Sequence, residues 1–81
     1  MNNLNVAKIQ LNGSSYEINM GINLNELLNK LKIQKNKVAI EVNGEIIEKN
    51  KYPNLILNKE DKVEIVHFIG GGLVLWKIFL L

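Results

Sequence analysis

Two Asn-Gly dipeptides, each lying between segments of alternating polar and apolar residues, constrain the fold of this chain more than any other feature. Asn12-Gly13 interrupts the alternation over residues 7–20, and Asn43-Gly44 interrupts the alternation over residues 38–48. Asparagine and glycine tolerate the positive φ angles that a tight turn between antiparallel strands requires. The sequence therefore predicts two β-hairpins, one over each of these ranges.

A short helix is predicted between the two hairpins. Asn23 can cap the first free backbone N–H groups, and Glu26 follows three residues later, as in a capping box. Four leucines then recur at the spacing of one helical face: Leu24, Leu27, Leu28 and Leu31. The pattern predicts a helix over residues 23–32, and a helix this short depends on packing more than on propensity.

The order of the predicted elements indicates the fold. After the second hairpin, residues 49–54 are predicted to be irregular, residues 55–57 form a brief apolar segment, and residues 62–68 alternate as a final strand. The order hairpin, helix, hairpin, strand is typical of an α+β, ubiquitin-like β-grasp fold. We expect one mixed sheet of four to five strands packed on one helix, with the final strand in the middle of the sheet beside the first.

Composition limits the classes of function. The chain has 81 residues, a net charge of +2 with its lysines scattered, and no cysteine, so we expect one domain and no nucleic-acid partner, disulfide or thiolate metal site. The N-terminus lacks the pattern of a secretory signal, and the nine residues after Gly72 are too few for a transmembrane helix. We expect a cytoplasmic protein, or one of the plastid stroma if an organelle genome encodes it.

The predicted final strand leads directly into three glycines. Gly70, Gly71 and Gly72 predict a narrow, flexible backbone segment that extends from a rigid domain. Such a segment suits a protein whose reactive group is its own C-terminus. We divide the chain into a short extension (residues 1–6), a domain with its glycine segment (residues 7–72) and an apolar extension (residues 73–81).

Four segments of this sequence are similar to those of one family. They are Ile9-Gln10-Leu11-Asn12-Gly13, Leu24-Asn25-Glu26-Leu27-Leu28, Val38-Ala39-Ile40-Glu41-Val42-Asn43-Gly44-Glu45-Ile46-Ile47, and the block from Asp61 to Gly72. The last segment is the most specific, and Tyr52 stands where an aromatic residue is common. From about Lys8 to Gly72 the chain resembles the ThiS-type sulfur carriers of thiamine biosynthesis, of the MoaD/ThiS superfamily.

The resemblance implies a protein co-substrate and not an enzyme. A ThiF-type (E1-like) adenylyltransferase would use ATP and Mg²⁺ to adenylate the carboxylate of Gly72, with Gly70, Gly71 and Gly72 threaded into its active site. A sulfur donor of the cysteine-desulfurase type would convert the adenylate to a thiocarboxylate, and thiazole synthase (ThiG) would consume the sulfur. The carrier itself would need no catalytic residue, no metal and no bound cofactor.

Alternation along the final strand suggests where a partner would dock. Val66 and Phe68 share one face, and if this face points away from the helix, they and Ile69 form an apolar partner-binding patch beside the glycines. The alternative is ordinary packing against the C-terminal extension or a loop. We expect His67 to be structural, and we expect Glu41 and Glu64 to lie on a solvated face rather than to act as an acid pair.

The residues after Gly72 depart from the family pattern, because a peptide bond to Leu73 leaves no carboxylate to activate. Three explanations of residues 73–81 are open. They form a pro-segment that a processing peptidase removes, or they are an artefact of gene prediction, of read-through or of sequence design. In the third, they form a permanent binding tail on a protein that carries no sulfur. Such a tail could pack on the open face of the sheet, add a strand to its edge or contact a membrane. The rival functions are the small subunit of molybdopterin synthase, a ubiquitin-like protein modifier and a non-carrier interaction module.

Overall fold

The computed structural model describes all atoms of residues 5–68 and the backbone of residues 69 and 74–77. These residues form one mixed sheet with a single α-helix against one of its faces. Neighbouring strands follow the order β2-β1-β5-β3-β4, and β6 also pairs with β5. The elements are β1 (Val6–Leu11), β2 (Ser14–Asn19), α1 (Leu24–Leu31), β3 (Val38–Val42), β4 (Glu45–Ile46), β5 (Lys62–Ile69) and β6 (Val74–Lys77).

Both predicted hairpins are present, and each turns at its Asn-Gly dipeptide. Leu11 pairs with Ser14 across the first turn, and Val42 pairs with Glu45 across the second. Both residues of each turn have positive φ, with 48° and 85° at the first and 53° and 86° at the second. These are the angles of the two-residue turn that matches the twist of antiparallel strands.

Helix α1 begins with the predicted capping box. The backbone N–H of Glu26 donates to Asn23 Oδ1 at 2.8 Å, and the N–H of Asn23 donates to Glu26 Oε1 at 2.9 Å. The helix ends at Leu31, and the φ of 60° at the next residue, Lys32, lets the N–H of Ile33 donate back to the carbonyl of Leu28. The observed helix is one residue shorter at each end than the predicted one.

The core lies between the helix and the sheet. Among the residues whose side chains the structure describes, its buried apolar side chains come from β1, β2, α1, β3, β5 and residues 52–57. They are Ile9, Leu11, Ile18, Leu24, Leu27, Leu28, Val38, Ile40, Val42, Tyr52, Leu57, Val63 and Ile65.

A 3-10 helix occupies Lys49–Asn54, where the sequence predicted an irregular segment. It places Tyr52 in the core with none of its surface exposed. No described group forms a hydrogen bond with the Tyr52 hydroxyl. Burial raises the pKa of this hydroxyl above its ordinary value, and the nearby backbone of Ile40 offsets part of that rise.

Strand β5 is the middle strand of the sheet, as predicted. It pairs in parallel with β1 and antiparallel with β3. The C-terminal extension adds a sixth strand to the predicted four to five, because β6 pairs antiparallel with β5 from Val66 to Ile69. Of the three placements considered for the extension, the backbone of residues 74–77 therefore takes the one at a strand edge.

Candidate functional site

The candidate site lies at the C-terminal half of β5, and the N-terminal half of this strand is held from both sides. On one side, Asn12 Oδ1 accepts the N–H of Ile65 at 2.7 Å, and Asn12 Nδ2 donates to the carbonyl of Ile65 at 3.2 Å. On the other side, Asn43 Oδ1 accepts the N–H of Lys62 at 2.9 Å, and Asn43 Nδ2 donates to Asp61 at 2.9 Å. The two hairpin turns thus fix the strand that leads into the glycines.

The two faces of β5 differ in burial. Val63 and Ile65 have no exposed surface and pack in the core, whereas Glu64 and Val66 are half-buried and Phe68 is 37% exposed. Since side chains alternate along a strand, Glu64, Val66 and Phe68 lie on the face opposite the helix. Both described side chains of the predicted patch, Val66 and Phe68, therefore lie on this open face.

Lys49 joins this patch from the 3-10 helix. Its Nζ donates to the carbonyl of Val38 at 2.8 Å and lies 5.6 Å from the centroid of the Phe68 ring. This distance is within the range of a cation–π contact. The site therefore combines a fixed positive charge with an exposed aromatic ring. Sequence reasoning missed Lys49, because nothing in its local pattern shows that it contacts Phe68.

The open face becomes more polar away from the patch. Glu41 and Glu64 are direct partners in the pairing of β3 with β5, so their side chains share this face, and both are half-buried. Like charges directly opposite one another oppose strand pairing. His67 pairs with Val38 and alternates onto the helix side of the sheet, where it is half-buried.

The proposed modification site, Gly72, and the threading residues Gly70 and Gly71 lie outside the described residues, as does the side chain of Ile69. The backbone of Ile69 is the last described part of β5 and pairs with Val74. The patch of Val66 and Phe68 therefore ends one residue before the glycines begin.

Within residues 5–69 and 74–77, no helix is long and apolar enough to cross a membrane. In the same part of the chain, no three His, Cys, Asp or Glu side chains cluster as metal ligands do.

Comparisons with known proteins agree on one family. A family model described as the ThiS family matches residues 9–72. The sulfur carrier protein ThiS of Bacillus subtilis is 37% identical over 65 residues, which cover 79% of this chain and 98% of that protein. The crystal structure of thiamine biosynthesis protein ThiS from Geobacter metallireducens has a TM-score of 0.72 at 32% identity, and the match covers 80% of this chain and 99% of that one.

A longer relative matches the same region. Thiazole synthase of Magnetococcus marinus is 40% identical over 65 residues, which are 80% of this chain but 20% of that protein. This chain therefore spans about a fifth of the length of that relative. A segment similar to this chain is therefore part of the protein that bears that name.

Proposed function

Because the chain belongs to the ThiS family, with residues 9–72 matching the family model, we propose that it carries sulfur for thiamine biosynthesis on the carboxylate of Gly72. The observation that carries this proposal is the patch of Phe68 and Lys49 at the C-terminal half of the central strand. In the sequence, Gly70, Gly71 and Gly72 follow this strand directly. A rigid domain can dock through the patch while the glycine segment reaches a partner's active site.

The proposed chemistry takes place at the chain end. A ThiF-type adenylyltransferase with MgATP joins AMP to the Gly72 carboxylate and releases pyrophosphate. A persulfide sulfur from a cysteine-desulfurase-type donor then displaces AMP, and reduction of the resulting acyl disulfide by a thiol leaves the thiocarboxylate. Thiazole synthase takes the sulfur. The protein is a co-substrate in these steps, and ATP and Mg²⁺ belong to its activating partner.

The glycines suit this role for a steric reason. Without a Cβ atom, Gly70, Gly71 and Gly72 can lie in a narrow channel that a bulkier residue would block. A carboxylate is a poor electrophile, and adenylation gives it a good leaving group. The carrier therefore needs a stable domain, a docking surface and a free C-terminal carboxylate.

The free end requires a cut between Gly72 and Leu73. We propose that a peptidase removes residues 73–81 before activation, in the cytoplasm or in the plastid stroma. The relation to thiazole synthase supports that enzyme as the acceptor, because a similar domain occurs within the Magnetococcus marinus protein of that name.

A reconstituted activation assay tests the function. The chain ending at Gly72 is mixed with a ThiF-type adenylyltransferase and MgATP, and pyrophosphate release is measured. We expect release from this chain and none from the chain that continues to Leu81, which is the matched control. Equal release from both chains, or none from the chain ending at Gly72, would contradict the proposal.

A further inference from the structure

The edge of β5 that faces β1 is longer than β1 can cover. Strand β1 ends at Leu11, whose partner on β5 is Val63. Beyond that point, the side chain of Asn12 takes the place of a strand, because it pairs with both the N–H and the carbonyl of Ile65. The remaining length of this edge, from Val66 to Ile69, is paired by β6.

The directions of the backbone N–H and carbonyl groups of β5 show which of them β6 supplies with hydrogen-bond partners. The carbonyl of Val63 accepts the N–H of Asn12 on this edge, and Ile65 directs both of its groups to the same side. Because backbone groups alternate along a strand, His67 and Ile69 direct theirs to this edge too. Their partners on β6 are Trp76 and Val74. Without β6, the N–H and carbonyl groups of His67 and Ile69 have no strand beside them.

Pairing with β6 also restricts the ends of the glycine segment. Ile69 and Val74 are direct partners whose backbone groups face each other, so their Cα atoms lie about 5.5 Å apart, as in a hydrogen-bonded antiparallel pair. A channel that holds the intervening residues extended needs these two residues about 17 Å apart, at roughly 3.4 Å per residue. Strand β6 must therefore leave β5 before a channel of this kind can take the glycines.

We propose that the edge of β5 at His67 and Ile69 is a strand-addition site, which β6 fills within the chain and an extended segment of the activating enzyme fills after the cut. This proposal rests on the proposed function for the identity of the partner. Exposed strand edges pair readily with extended segments of other chains. The pairing of β6 shows that this edge accepts an antiparallel strand beside β1 and Asn12. Strand β6 thus covers the edge that the mature chain would use.

Amide hydrogen exchange tests the strand-addition site independently of any sulfur chemistry. Exchange at His67 and Ile69 is measured in the full chain and in the chain ending at Gly72. The Geobacter relative, of which 99% is matched by 80% of this chain, is a folded protein. A peptide of residues 73–77 is then added to the shorter chain at millimolar concentration, which is the effective concentration of a short tether. Two further peptides carry a backbone N-methyl group at Trp76 or at Leu75.

The N-methylated peptides are matched controls. The N–H of Trp76 points to β5 and that of Leu75 points away, because Trp76 is the partner of His67. We expect the cut to accelerate exchange at His67 and Ile69 by about fivefold or more, the effect of losing one backbone hydrogen bond. The unmodified and Leu75-methylated peptides should restore protection, and the Trp76-methylated peptide should not. Unchanged exchange after the cut, or no difference between the two methylated peptides, would overturn the proposal.

Discussion

At the scale of single residues, the two asparagines of the hairpin turns do more than form turns. Each tolerates a positive φ, which the sequence indicated, and each also holds the start of β5 through its side chain, which the sequence did not indicate. Asn12 is buried, with 9% of its surface exposed, whereas the bonds of Asn43 are exposed. The same dipeptide therefore contributes differently to the stability of the fold at the two turns.

Replacing Asn12 tests this difference. Glycine keeps the left-handed backbone but removes the amide, so Asn12→Gly leaves the groups of Ile65 unsatisfied in the protein interior. We expect the free energy of unfolding to fall by about 2–3 kcal/mol, measured by urea denaturation. Asn43→Gly is the matched control and should cost about 1 kcal/mol, because water can replace its exposed bonds. Equal losses for the two variants would argue against a special role of Asn12.

The buried hydroxyl of Tyr52 predicts a dependence of stability on alkaline pH. Burial raises the pKa of Tyr52, so the folded chain holds the phenolic proton at a pH where the unfolded chain loses it. The stabilisation is complete below about pH 10, the ordinary tyrosine pKa, and declines as the pH rises from there towards the folded pKa.

The variant Tyr52→Phe should lack the part of the loss of stability at alkaline pH that ionisation of Tyr52 causes. At neutral pH its free energy of unfolding should stay within about 1 kcal/mol of the parent, because the hydroxyl forms no hydrogen bond with the described residues. Urea denaturation at neutral pH and above pH 10 measures both effects. Tyr16→Phe is the control, and a decline that disappears in Tyr16→Phe instead would show that Tyr52 is not its source.

At the scale of elements, the helix and the two hairpins follow from local sequence. Capping box, leucine spacing and Asn-Gly turns each act over a few residues, so they can be recognised without knowing the fold. The 3-10 helix of Lys49–Asn54 has no such local sequence signal. It depends on the burial of Tyr52 in the core. Strand β6 depends on the free length of a distant strand edge, which no local pattern indicates.

The burial of α1 predicts the effect of truncating its apolar face. Leu28 is 2% exposed and packs in the core, so Leu28→Ala should lower the free energy of unfolding by about 2–5 kcal/mol. Leu31 is half-buried at the edge of the core, and Leu31→Ala should cost less. Urea denaturation of the two variants compares them directly. An unchanged midpoint for Leu28→Ala would contradict the placement of the helix on the sheet.

At the scale of the whole molecule, the open face of the sheet has a polar region around Glu41 and Glu64 and an apolar patch near the end of β5. The position of the patch could be predicted, because alternation along β5 separates Val66 and Phe68 from Val63 and Ile65. The contribution of Lys49 could not, because it comes from a segment whose contact with Phe68 depends on the tertiary fold. In our proposal the chain end at Gly72 comes from processing, which the fold of the described residues does not indicate.

The patch predicts a variant that separates docking from folding. Phe68 is 37% exposed, so Phe68→Ala should weaken binding to the adenylyltransferase by about tenfold or more, as for an interface hot spot, and should affect binding more than the free energy of unfolding. Calorimetry with the chain ending at Gly72 measures the binding, and denaturation measures the stability. Ile46 is the control: it is exposed on the open face beside Glu41, away from Phe68, and Ile46→Ala should leave the affinity unchanged. A clear loss of stability with unchanged affinity would assign Phe68 to packing instead.

The central claim is that Gly72 becomes the chain end and carries sulfur. Intact mass spectrometry of the protein isolated from its native cell tests this claim most directly. We expect a mature chain that ends at Gly72, with a fraction whose mass corresponds to the exchange of one carboxylate oxygen for sulfur. A mature chain that still ends at Leu81, with no thiocarboxylate, would contradict the account.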